Sequence, residues 1–178
     1  VALDPIAQTS CPVPASLRPV RGDSISIKLR LVSAATGRPI VLTGWSGVAN
    51  VYATALAGAA LHTMTVDVDQ SAAGLPTTGV VTISAAINAT VGWTEFGSWA
   101  LILTDGTTSK TIVSGPWELV GNGIPQPLFT CSSGIGGGAS GGACGALGFD
   151  VLGAGCAVLE SGYTVILLPH PQGACSCA

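Results

Sequence analysis

The chain has 178 residues, a net charge of −3 and only 8 % charged side chains, against about 25 % in an ordinary soluble domain. That length is enough for a real core; the lack of a basic patch argues against nucleic-acid binding, and no apolar run approaches the roughly 20 residues of a membrane-spanning helix. So weakly charged a surface suits a subunit covered by copies of itself or by partners, a homo-oligomer in a symmetric assembly.

Residues 1–19 hold Pro5, Pro12, Pro14 and Pro19. Proline stiffens a chain and removes backbone donors, so this stretch reads as an extended arm lying on another surface. Val1 is the residue expected after trimming of an initiator methionine or cleavage of a leader. Arg21-Gly22-Asp23 follows, a tripeptide that adhesion receptors bind when it sits at the tip of a mobile loop. Here it leads straight into Ile25, Ile27, Leu29 and Leu31 alternating with Ser26, Lys28 and Arg30. A period of two is the pattern of a half-buried strand, and Gly and Asp are turn residues. The tripeptide therefore reads as the turn feeding a first strand.

The next elements continue the pattern. Thr36-Gly37-Arg38-Pro39 is a turn, Ile40–Leu42 a short apolar piece, and Thr43-Gly44 a second turn. Trp45–Tyr52 reads as a strand with Trp45, Ala49 and Val51 on one face, and His62–Asp69 as one with Met64, Val66 and Val68 inward. Residues 74–79 form a loop, Val80–Ala85 another strand, and Ala85–Thr90 a short helical turn. Trp99–Leu103 and Thr107–Val113 flank Asp105-Gly106, a strong two-residue hairpin signal. Trp117–Val120 closes the region. The fold class implied is all-β: an immunoglobulin-like (Ig-like) β-sandwich of about seven strands over residues 20–120.

Residues 121–178 differ. Pro125 and Pro127 mark a linker, and residues 121–178 hold most of the glycines and five of the six cysteines. Gly148–Leu152 and Tyr163–Leu168 are the strand-like pieces. The segment reads as a small Gly/Cys-rich β appendage completed by neighbouring chains, its glycine-rich run from Gly134 to Gly148 packed within an assembly.

Three pieces carry a resemblance: Arg21-Gly22-Asp23-Ser24, Thr36-Gly37-Arg38-Pro39 and Val41-Leu42-Thr43-Gly44-Trp45. With Asp105-Gly106 and Gly115-Pro116-Trp117-Glu118-Leu119-Val120, their order resembles the N-terminal β-sandwich of tailed-phage upper baseplate and tail-fibre attachment proteins, over roughly residues 18–120. The resemblance implies a structural domain that docks onto a central tail or particle component and carries something distal. Such proteins often continue into a long fibre; here only the Gly/Cys-rich segment follows. A bacterial virus has no use for an animal adhesion receptor, so the resemblance also implies a structural role for Arg21-Gly22-Asp23.

Candidate chemistry is sparse. Cys11, Cys131, Cys144, Cys156, Cys175 and Cys177 are disulfide candidates, and six cysteines allow fifteen pairings. A virion is assembled in a reducing cytosol and persists in an oxidising medium, so late cross-links fit such a particle. Free buried thiols are the alternative. A zinc site from Cys144, Cys156, Cys175 and Cys177 with His170 nearby is the third, although only one tight cysteine pair exists where structural zinc sites show two. Neither His62 nor His170 stands in a pattern that implies a nucleophile and an orienting acid. Asp67 and Asp69 share a strand face, which reads as solvated rather than as a calcium site needing six or more oxygens. The glycine-rich run lacks the lysine of a phosphate loop, and Asn88-Ala89-Thr90 is a glycosylation sequon by pattern alone. Trp45 and Trp99 are expected in the core; Trp93 and Trp117 are the candidate interface residues.

These features imply a non-enzymatic virion subunit of a tailed phage, in the tail, baseplate or fibre-attachment region, with other virion proteins as partners and with no cofactor, metal, nucleic acid or membrane. A capsid decoration (cement) protein is the first alternative, and a secreted glycan-binding or adhesin module using the tryptophans is the second.

Overall fold

The alternation in the sequence becomes strands. In the computed structural model, residue 6 and residues 12–33, 36–54, 58–121, 128–131, 159–160 and 163–168 are described. The strands are β1 (Val13–Leu17), β2 (Ile25–Ser33), β3 (Ser46–Tyr52), β4 (His62–Val68), β5 (Val80–Ala85), β6 (Phe96–Thr104), β7 (Ser109–Glu118), β8 (Phe129–Cys131), β9 (Leu159–Glu160) and β10 (Tyr163–Leu168). The one helical element among the described residues is a 3-10 turn at Ala89–Gly92, a few residues later than the sequence placed it. The all-β class is therefore correct.

All ten strands join one ladder, in the order β8-β1-β7-β6-β3-β4-β5-β2-β10-β9. The central neighbours are antiparallel, while β1 runs parallel to β7 and β10 parallel to β2. β4 changes partner half-way: His62–Met64 pair with β3, and Thr65–Val68 pair with β5. That hand-over folds the ladder back on itself. β1 and β10 come into contact, so the sheet is nearly barrel-shaped.

The curled ladder encloses one core. β2 buries Ile25, Ile27, Leu29 and Leu31 and turns Ser26 and Lys28 outward, as its period requires. β5 adds Val81 and Ile83, and β6 adds Trp99, Leu101 and Leu103. In β7 two consecutive residues, Ile112 and Val113, are both buried. A register shift against Leu101/Ile102 explains this: a β-bulge gives one strand an extra residue and breaks the alternation.

The ladder crosses both expected boundaries of the 20–120 region. β1 lies inside the proline-rich arm and pairs with β7 from Val13↔Val113 to Leu17↔Trp117. Its buried residues Val13, Ala15 and Leu17 alternate with Pro14 and Ser16, and Pro14 stands just outside the Ala15–Leu17 stretch that pairs with β8, where a proline is tolerated. β8 pairs with β1, and β10, expected in an appendage, pairs with β2 in register from Thr164↔Leu29 to Leu168↔Ser33. Val165, Ile166 and Leu168 are buried. The residues 117–120 are not a separate strand either. β7 continues through Gly115 and Pro116 as far as Glu118, because β1 and β6 hold that stretch from both sides. Ile40–Leu42 forms no strand; Pro39 alone makes an isolated bridge to Val32. The expected strand at Gly148–Leu152 lies outside the described residues.

Candidate functional site

One pole of the ladder gathers the loops β1–β2, β5–β6 and the start of β4, and it brings together Arg21-Gly22-Asp23, Asn88-Ala89-Thr90, His62, Trp93 and Trp117. Arg21-Gly22-Asp23 is clamped there. The Arg21 guanidinium donates to the carbonyls of Val91 (3.1 Å) and Trp93 (3.4 Å). The Gly22 N–H donates to Thr90 Oγ1 (2.7 Å), and the Asn88 N–H donates to the Gly22 carbonyl (2.9 Å). Gly22 has φ +90°, which a side chain would strain. Thr90 is fully buried, and its hydroxyl donates onward to the Val20 carbonyl. The tripeptide is thus a turn fastened to the 3-10 segment, as its place before β2 implies. The same contacts occupy the hydroxyl of the Asn88-Ala89-Thr90 sequon.

Beneath the pole lies a repeated arrangement. Gly97-Ser98-Trp99 on β6 pairs antiparallel with Gly115-Pro116-Trp117 on β7, so that Gly97 faces Trp117 and Trp99 faces Gly115. The Trp117 indole lies in the space Gly97 leaves, and the Ala15 backbone lies in that left by Gly115. A Cβ on Gly115 would collide with the Ala15 carbonyl, and one on Gly97 with the Tyr52 carbonyl and the Trp117 ring. Each indole N–H donates to that same neighbouring carbonyl: Trp99 Nε1 to Ala15 and Trp117 Nε1 to Tyr52, both at 3.0 Å. Glycine lets the backbones close in, and the indole satisfies the carbonyl they bring with them.

Trp93 completes an aromatic cluster. It packs edge-on against Trp117 (5.2 Å between centroids) and tilts against His62 (5.6 Å). Trp93 and Trp117, expected at an interface, are 4 % and 1 % exposed; nearness to loops in sequence did not mean exposure, because the Gly97 gap draws Trp117 inward and Trp117 in turn holds Trp93. Trp45 and Trp99 are buried as expected. The Trp93 indole N–H is buried without an acceptor among the described residues.

The surface aromatic of this pole is Phe96, which the sequence reading passed over. It is 71 % exposed and stands between two adjoining hollows. The first, about 870 Å³, is lined by Arg21, Glu95, Glu118 and Leu119 among others. The second, about 680 Å³, is lined by Ala53, Thr54, Ser98 and Ser114, with no charged residue among the described ones. Phe96, Gly97 and Pro116 border both. Ile87 and Val91, on the β5–β6 connection, are largely exposed as well. An exposed large apolar group beside a hollow is the usual mark of a contact surface, and the sequence signal was present in Phe96 opening β6 on its outward parity, opposite to Gly97 and Trp99.

The remaining candidates are elsewhere. Asp67 is exposed on β4, and Asp69 at its end accepts from the Ser71 N–H (2.8 Å). Hydrogen bonds from Ser71, side chain and backbone, hold the Asp69 carboxyl below its ordinary value. Asp105 accepts from the N–H groups of Thr108 (2.7 Å) and Thr107 (2.8 Å), which lower its pKa likewise. Both carboxylates serve turns, and no metal-binding cluster of three or more ligands occurs among the described residues. Of the cysteines, only the backbone of Cys131 falls in a described element; Cys11, Cys144, Cys156, Cys175, Cys177 and His170 lie outside the described residues. No family model matches the chain, and no curated protein matches it.

Proposed function

We propose that the chain is a structural virion subunit of a tailed bacteriophage, an Ig-like β-sandwich that anchors or adapts other proteins in the tail, baseplate or fibre-attachment region. The observation that carries the reading is how the resemblance-bearing residues are used. Arg21, Gly22, Gly37, Gly44 and Asp105 all sit in turns that connect strands of one ladder, the use expected in a domain whose role is architectural. The Ig-like description is supported by the pairing: β2-β5-β4 on one side, β4-β3-β6-β7-β1 on the other, β4 shared, and β1 parallel to β7.

The weakly charged composition and the apolar pole around Phe96 fit a protein that works by contact. The test is immunogold labelling of intact phage particles, with epitope accessibility verified on the isolated chain. Label at the tail, neck or tail tip is the expected result. Label spread over the head would make the chain a decoration protein, and absence of label on intact and disrupted particles would remove the virion reading.

A further inference from the structure

We propose that the trough on either side of Phe96 is a docking site for an extended segment of a partner protein that carries a lysine or arginine beside an apolar side chain. This rests on the reading of the chain as an assembly subunit, and it names the surface and the chemistry of the contact. The trough is an open channel formed by two hollows meeting at Phe96, Gly97 and Pro116. Small-molecule sites enclose most of their ligand; an open channel bordered by a sheet face suits a polypeptide laid along it, with backbone contacts along its length and side chains in successive hollows.

The charge pattern selects the segment. Glu118 is the cross-strand partner of Phe96, and Glu95 is its chain neighbour. Both glutamates line one hollow, and among the described residues the basic one lining it is Arg21, whose guanidinium is directed at the carbonyls of Val91 and Trp93. Arg18 reaches Glu118 only at 3.9 Å, with 40 % and 67 % of the two side chains exposed, a geometry that binds weakly. A hollow bordered by an exposed aromatic residue and two glutamates is a favourable seat for a cation. The second hollow has no charged residue among the described ones that line it and takes an apolar neighbour. Phe96 itself is the anchor, since an exposed aromatic that becomes buried on docking contributes most to an interface.

The test pans a display library of short random peptides against the full chain and measures the enriched clones by fluorescence anisotropy as synthetic peptides. The expected result is enrichment of peptides with a lysine or arginine next to an apolar residue. Their affinity falls about tenfold in Phe96→Ser and about threefold in Glu95→Gln or Glu118→Gln, and weakens as salt rises. The thermal midpoints of the three variants are measured alongside and stay at the parent value.

Enrichment of acidic peptides, enrichment indifferent to Phe96→Ser, or no enrichment over the bare matrix overturns the proposal. So does concentration-dependent dimerisation lost in Phe96→Ser, which would assign the trough to a second copy. Binding to phosphatidylcholine vesicles through Phe96 overturns it as well. Particle labelling with no peptide enrichment sinks this docking site and leaves the virion reading; enrichment without particle labelling does the reverse.

Discussion

The two glycine–tryptophan pairs of the β6–β7 hairpin share one geometry and differ in what covers them. Trp99, opposite Gly115, donates to Ala15 on β1 and meets Phe129 of β8 edge-on at 5.8 Å. Trp117, opposite Gly97, donates to Tyr52 at the end of β3 and is covered by Trp93 from the β5–β6 connection. The first pair fastens strands from the two flanks of the sequence onto the central hairpin. The second fastens the loops of one pole. One local motif, used twice, therefore ties down the distant parts of the chain and the nearby ones separately. The contrast predicts that damage to the first loosens β1 and β8, and damage to the second loosens the pole around Phe96.

The largest effect is expected from the glycines. In Gly115→Ala the atoms nearest the new methyl are backbone of Ala15, which cannot turn aside as a side chain can. A loss of about 3 kcal/mol in urea unfolding is expected, with faster amide exchange in β1. Gly97→Ala meets the Tyr52 carbonyl and the Trp117 ring; its loss is expected to be comparable, with the exchange concentrated in the loops after β3 and before β6. If both variants raised exchange in the same elements, the division between the two pairs would fail.

Next come the indoles. Trp99→Phe removes a buried hydrogen bond and leaves the Ala15 carbonyl without its donor, a cost of about 2 kcal/mol. Trp117→Phe does the same to Tyr52. Trp93→Phe removes an N–H that has no acceptor among the described residues, so its lost packing is partly offset and the net change stays under about 1 kcal/mol. The order Trp99 or Trp117 well above Trp93, measured by denaturant midpoint at constant slope, is the check.

Acid acts on the opposite end of the hairpin from Trp117. Asp105 has its pKa lowered first by the Thr108 N–H and then by the Thr107 N–H. A carboxyl lowered on folding contributes stability that is present above the unfolded value and is lost as pH falls through the folded one. Stability is thus expected to decline from about the ordinary carboxylate value of 3.8 downward, with Asp69 adding to the decline through Ser71. Asp105→Asn is expected to flatten that limb in a titration followed by circular dichroism and to leave the Trp–Gly pairs intact. The smallest effect belongs to Phe96→Ser, expected within about 0.5 kcal/mol of the parent, since Phe96 covers little of the core.

Much of the ladder was legible because it is written locally. The alternation in Ile25–Leu31, His62–Val68 and Val80–Ala85 depends on neighbours in sequence, and those elements stand where the pattern puts them. Asp105-Gly106 does mark the turn between β6 and β7, but the connection is four residues long, Asp105 to Thr108, and not two, because Asp105 accepts from both the Thr107 and the Thr108 N–H. What was hidden depends on partners far away. β1 looked like an arm because Pro12, Pro14 and Pro19 outweigh its short Val13-x-Ala15-x-Leu17 alternation, and only β7 supplies the other half of the reason for it to be a strand. Gly115-Pro116 looked like a break in β7 because nothing in sequence says that Ala15 must come so close. The same non-local cause turned Trp93 and Trp117 inward. Of the candidate site, Arg21-Gly22-Asp23 as a turn was readable from the strand it precedes; the trough was not, because it forms where β6 and β7 meet the end of β3.

The parallel pairings at both flanks have a mechanical consequence. Tension applied through the residues before Val13 and after Leu168 draws β1 along β7 and β10 along β2, each pair being parallel. Strands pulled this way slide past each other, so the rungs between them bear the load together. In an antiparallel hairpin pulled from its open end, the rungs give way one at a time. The chain is thus built so that force entering from either flank meets shear-loaded strands before it reaches the hairpin at the centre.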